Sequence, residues 1–147
     1  MDNAFEAIRQ LMTAFNKIDG SYYFCAKSLG VKENTLAVLY ALDDGLPHSQ
    51  KQLSEEWLIP RTTVNTIVKE LEKEGYITFY PEEESREKPI LLTGTGKAYV
   101  HDLLKKVYAA EYSALIRTVG KFSPEFIDAF DFFASCLCEE MQEQVRK

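Results

Sequence analysis

The stretch from Ser49 to Gly75 leaves this chain few ways to fold. Ser49 and Gln52 stand three apart, the spacing at which a serine hydroxyl and a glutamine side chain cap a helix start reciprocally. Pro60 disfavours helix at Ile59 and suits the opening of a new one. Gly75 supplies the residue at which that second helix ends. Two helices must therefore succeed one another across a tight turn. Leu53 and Trp57 supply the buried side of the first. In the second, over about 60–74, Val64, Ile67, Val68 and Leu71 fall on one narrow stripe at about 100° per residue.

Beyond Gly75 the pattern is that of a hairpin. Tyr76 to Tyr80 is β-branched and aromatic, Pro81 closes it, residues 82–88 are all polar, and Pro89-Ile90-Leu91-Leu92-Thr93 reads as the returning strand. Thr93 caps a long helix whose apolar positions run from Val100 through Leu103, Leu104, Val107, Tyr108, Leu115, Ile116 and Val119 towards Gly120. Gly94-Thr95-Gly96-Lys97 resembles a phosphate loop only superficially and is read as that helix start. Ser123-Pro124 opens a last helix with Phe126, Phe130, Phe133, Leu137 and Met141 inward. Upstream, Phe5, Ile8, Met12 and Phe15 mark an amphipathic helix over residues 2–18, to which Gly20 and Ser21 offer an interruption. Leu36, Leu39, Tyr40 and Leu42 mark another, ended by Asp43-Asp44-Gly45 and Pro47. The predicted order is α-α-α-α-β-β-α-α. The fold class is mainly α with a small β-hairpin, and a short helix pair leading into a hairpin is the winged helix-turn-helix order.

The outward face of the 60–74 helix carries the functional signal. Thr62, Asn65, Thr66, Lys69 and Lys73 point away from the apolar stripe with no acid among them, while Glu70 and Glu72 lie to either side. Threonine and asparagine can bond base edges, and lysine neutralises phosphate. Thr62, Thr63, Asn65 and Thr66 are the expected readers of a major groove, with Arg61, Lys69 and Lys73 on bases or phosphate. Ser49 and Gln50 are expected to hold backbone phosphates at the preceding helix start. Charge works against this reading: 17 Lys plus Arg against 23 Asp plus Glu give −6, and no third of the chain is basic. Binding to double-stranded DNA must come from local placement of a few cations. The alternative that takes the −6 at face value is a winged-helix protein–protein interaction module.

These pieces together resemble the multiple-antibiotic-resistance regulator (MarR) family of bacterial transcription factors. The residues that carry the resemblance are Gln52-Leu53, Thr63-Val64-Asn65, Leu71-Glu72-Lys73-Glu74-Gly75-Tyr76-Ile77 and Pro89-Ile90-Leu91-Leu92-Thr93, then Gly96. The family's wing carries an Asp-x-Arg motif whose arginine enters the minor groove. Glu84-Ser85-Arg86 stands at that place here, with Glu84 for Asp, so the resemblance assigns the role to Arg86, with Lys88 beside it. It also implies a homodimeric repressor on a pseudo-palindromic operator, with the terminal helices interlocked. That agrees with the long apolar faces of residues 2–18, 95–119 and 124–141, which outrun the core a small head can offer. The expected division is 34–97 as the winged reading head, with 1–30 and 98–147 as the helical dimerisation region, all in one chain 1–147.

The resemblance further implies a small-molecule effector in a crevice between dimer helices and head. Tyr22, Tyr23 and Phe24 are candidates to line it, with Tyr108 or Tyr112 opposite, although aromatics at helical spacing are more often plain core. Three cysteines need no disulfide framework. Cys136 and Cys138 lie about 200° apart around a helix and do not chelate together, and Cys25 is expected to be buried. A redox-sensing regulator without an effector is the other alternative. With His48 and His101 as the only histidines and no His-x-x-x-His or Cys-x-x-Cys pair, no metal and no cofactor are expected. Nor is there a catalytic motif, so no enzyme activity is expected. No run suits a membrane span, and the first residues lack a secretion signal; the expectation is a soluble cytoplasmic protein.

Overall fold

The computed structural model describes residues 2–81 and 87–146, and these form six helices and a two-stranded antiparallel hairpin. The chain divides into two compact units, Met1–Lys105 and Lys106–Lys147, the boundary falling inside a helix. In the first unit, α1 spans Asp2–Leu29 and α2 spans Glu33–Leu42. The interruption offered at Gly20 is not taken: the helix continues through it, and Ser21 donates its hydroxyl back to the Lys17 carbonyl at 2.7 Å. One glycine costs a long helix only about 1 kcal/mol, less than breaking and restarting it. The real stop is Gly30, at φ 76°, where the Gly30 and Val31 N–H groups return to the Lys27 and Ala26 carbonyls.

The helix pair matches the pattern read from the sequence. α3 is Gln50–Trp57, and the capping box is complete: Ser49 Oγ accepts the Gln52 N–H and Gln52 Oε1 accepts the Ser49 N–H, each at 3.0 Å. α4 is Arg61–Lys73, with Pro60 one position earlier than expected, as the extended residue before the first turn. Between them Leu58 is left-handed at φ 52° and 85% exposed. Trp57, expected to be buried, is 38% exposed and meets Tyr40 edge-on at 5.6 Å. It stands at the end of a two-turn helix, where there is too little partner surface to cover an indole. Leu53, Val64, Ile67, Val68 and Leu71 are buried as expected. At the end of α4 the Gly75 N–H bonds the Glu72 carbonyl and the Tyr76 N–H the Leu71 carbonyl, so both orphan carbonyls are satisfied.

β1, Ile77–Phe79, pairs with β2, Ile90–Leu92, in the register Ile77 to Leu92 and Phe79 to Ile90. A third element joins them that no periodicity announced: His48 exchanges both backbone hydrogen bonds with Ile90, at 2.9 and 2.8 Å. His48 Nε2 also lies 2.8 Å from both carboxylate oxygens of Asp44. Burial pushes the Asp44 carboxyl up, but the hydrogen bonds from His48 and from the Leu46 N–H outweigh it, and the net direction is down.

α5, Gly94–Lys121, starts immediately after the hairpin and crosses into the second unit. Thr93 Oγ accepts the Gly96 N–H at 3.0 Å and donates to the Gly75 carbonyl at 2.7 Å, so one hydroxyl caps α5 and ties it to the end of α4. A Cβ on Gly96 would stand 1.9 Å from the Tyr76 carbonyl oxygen, which makes this glycine a steric requirement. Tyr76 and Tyr99 stack at 4.2 Å, and burial raises the Tyr99 hydroxyl pKa, with Tyr76 and Glu74 adding to the shift. Leu36, Val38, Leu39, Leu42, Ile59, Ile77, Ile90, Leu92, Val100 and Leu104 complete the core of this unit.

The second unit carries the rest of α5 and α6, Glu125–Val145, started by Ser123 Oγ accepting the Glu125 N–H at 3.1 Å. The side chains expected inward on α6 are not covered within one chain: the helix has no buried residue, and Phe126, Phe130, Leu137 and Met141 are exposed. α1 likewise exposes Phe5, Ile8, Leu11, Phe15 and Ile18. None of the described helices is long and apolar enough to cross a membrane.

Candidate nucleic-acid interface

The face of α4 opposite its buried stripe divides into three. On one side Thr62, Thr63 and Thr66 line an open cleft of about 340 Å³ against Lys32, Glu33, Asn34 and Thr35 at the start of α2, with Glu70 at its margin. On the other, Arg61 and Asn65 line a cleft of about 510 Å³ with Gln50, Phe79, Glu87 and Lys88, between the helix pair and the hairpin. Lys69 and Lys73 stand exposed on the same helix, one and two turns further along. Thr66 bonds the Thr62 carbonyl of its own helix at 3.0 Å, which fixes its hydroxyl and presents its methyl group.

Several of the expected readers already hold intramolecular partners. Asn65 donates one N–H to Gln50 Oε1 at 3.2 Å, so Gln50 orients the Asn65 amide. The Ser49 hydroxyl accepts the capping bond and keeps its own proton to donate. Arg61 pairs with Glu87 at 2.8 Å, and the same Glu87 oxygen accepts the Lys51 N–H at 3.0 Å. Glu87 is the residue that sequence reasoning missed, because its partners lie 26 and 36 positions away in the chain. Arg86, with Glu84 and Ser85, lies outside the described residues; Lys88 is described and exposed.

The other sequence candidates stand on α1 and α5. On α1, Tyr22 is half-buried while Tyr23 and Phe24 are exposed and meet edge-on at 5.3 Å. On α5, Tyr108 is half-buried and Tyr112 exposed. Cys25, expected inside, is only half-buried, because the end of α1 that carries it is covered on one side alone. Among the described residues no group of three or more His, Cys, Asp or Glu side chains is placed to hold a metal.

A short helix leading through a tight turn into a second, with an antiparallel hairpin packed beside both, makes this a winged helix-turn-helix protein. Residues 29–86 match the model of the MarR family. The fold extends the match across the chain. A MarR-family regulator from Neisseria meningitidis superposes with a TM-score of 0.77 at 28% identity, over 95% of this chain and 96% of that one. NadR, solved in complex with 4-hydroxyphenylacetate, gives 0.69 at 16% identity over 86% and 89%. Staphylococcus aureus MarR, solved with salicylate and kanamycin, gives 0.66 at 14% over 97% and 94%. No curated protein matches significantly by sequence. These findings support a transcription regulator of the MarR type, with the family match carried by residues 29–86.

Proposed function

We propose that the protein binds double-stranded DNA as a homodimer, with α4 in the major groove and the hairpin against the adjoining minor groove, and represses transcription from a pseudo-palindromic operator. The observation that carries this is the exposed face of α4. Thr62, Thr66, Lys69 and Lys73 stand out with Asn65 beside them, and no acid interrupts them on a chain of net charge −6. A helix face cleared of carboxylates on an otherwise acidic protein is what a polyanionic partner requires. Thr62, Thr63, Asn65 and Thr66 are the base readers; Lys69 and Lys73 serve the backbone, as do Ser49 and Lys88; Arg86 is the minor-groove residue.

Two copies are proposed because α1 and α6 each present a row of apolar side chains to solvent. Phe5 is 58% exposed and Phe132 71%, in apolar rows longer than a monomeric soluble protein ordinarily leaves uncovered. Pairing two heads on one body raises the effective concentration of the second, which offsets a modest affinity per head. Control by an aromatic acid is part of the proposal, on the strength of the ligands held by two structural neighbours, with the Tyr22–Tyr23–Phe24 segment and Tyr108 and Tyr112 as candidate contacts. The test is selection of genomic fragments by the purified protein at low and physiological salt. Enrichment of a two-fold-symmetric sequence with half-sites about one helical turn apart is the expected result. Recovery of no enriched sequence overturns the proposal.

A further inference from the structure

Glu87, at the base of the wing, places one carboxylate oxygen where it meets both helices of the pair. Oε1 accepts the Lys51 N–H at 3.0 Å and lies 2.8 Å from Nη2 of Arg61, the first residue of α4. The Arg61 side chain remains 59% exposed while the Glu87 side chain is 33% exposed, so the pair sits at the surface of the cleft that also holds Gln50 and Asn65. The contact uses Nη2 only. Glu87 takes one of the two Nη2 N–H groups, and the other still forms a two-donor edge with Nε or Nη1 that can meet a guanine. A swing of the guanidinium towards a backbone phosphate is opposed by a carboxylate already in place.

We infer that Glu87 is a positioning residue for specificity: it holds Arg61 as a base reader and keeps it from acting as a phosphate clamp. This rests on the DNA reading proposed above. Binding to arbitrary duplex comes from phosphate contacts, each adding about 0.9 to the salt slope. An arginine released from its carboxylate adds one such contact on any sequence. On the operator it adds less, because the base contact it made there is given up.

The experiment compares wild type, Glu87→Gln, Arg61→Ala and the double variant on the selected operator and on a random duplex of the same length, across a salt series. Glutamine keeps an acceptor for the Lys51 N–H and removes only the charge. Expected for Glu87→Gln is a gain of about two- to fivefold on random duplex, the scale of an exposed ion pair. Its salt slope should steepen by about one, and its operator-to-random ratio should fall. The effect should vanish in the Arg61→Ala background. An unchanged ratio, or a fall of equal size without Arg61, overturns the inference. Wild type that enriches no operator is a different failure, which removes the DNA reading and this inference together.

Discussion

Replacing Gly96 by alanine sets two backbones against each other. A Cβ there stands 1.9 Å from the Tyr76 carbonyl oxygen, 2.8 Å from its carbon and 3.1 Å from its Cα, all main-chain atoms that no rotamer can move. Reaching ordinary contact requires α5 and the start of β1 to part by about 1 Å or more. The same carbonyl accepts the Thr93 N–H at 3.0 Å, and the Thr93 hydroxyl holds the Gly75 carbonyl at 2.7 Å. Losing both bonds costs about 2 kcal/mol, residual overpacking adds about 1–3 kcal/mol, and alanine returns about 1 kcal/mol of helix propensity. The net loss is about 2–4 kcal/mol, or about 5–15 °C in melting temperature for a chain of this size. Gly20→Ala is the control: it lies inside α1 with nothing within 4 Å of the added Cβ, and should gain about 0.5–1 kcal/mol. Both are read by thermal and urea unfolding at one protein concentration, since association shifts the midpoint. A Gly96→Ala protein as stable as wild type refutes the steric reasoning.

Leu58 is left-handed and almost fully exposed, so Leu58→Gly should stabilise by about 0.5–1 kcal/mol and Leu58→Val should destabilise; urea midpoints in the order Val above Leu above Gly would contradict this. Burial raises the Glu33 carboxyl above its ordinary 4.5, and the Asp19 carboxylate beside it adds to the shift. A raised carboxyl stabilises the fold while protonated and loses that contribution as pH rises through its folded pKa. Glu33→Gln should therefore gain on wild type near neutrality and not below about pH 4.5, and equal gains at both ends of a pH series of unfolding curves would exclude the coupling. Phe130→Glu on α6 should halve the mass measured by light scattering without unfolding the reading head, and an unchanged mass argues against that face as the interface. Asn65→Ala or Thr66→Ala should relax discrimination between sequences, while Arg86→Ala weakens binding to all of them alike; gel shifts in which the two kinds of variant behave identically count against these roles.

The helix pair was legible because its signals are local. The Ser49–Gln52 box, the Val64–Leu71 stripe and the Gly75 stop each involve residues a turn or two apart, and all are present in the structure. What sequence could not yield depends on neighbours distant along the chain. His48 adds a single bridge to Ile90 with no alternation to betray it. Gly96 looked like a helix start, and its real constraint is the Tyr76 backbone. Glu87 looked like one more charge in a solvated tip, and only folding brings it to Arg61 and Lys51. Gly20 misled in the other direction: a residue with weak helix propensity sits comfortably where long flanking stretches keep the helix going. The expected readers of α4 could be named from helical angles alone, but their commitment to Gln50 and Glu87 could not.

Between the last residue of β2 and the first of α5 there is only Thr93, and its hydroxyl is bonded on both sides. Such a joint has no slack. Any tilt imposed on the opening turns of α5 must drag the hairpin along as a lever drags its handle, rather than being absorbed by a pliant connector. Lengthening that link by even a glycine or two would let rod and flap move independently.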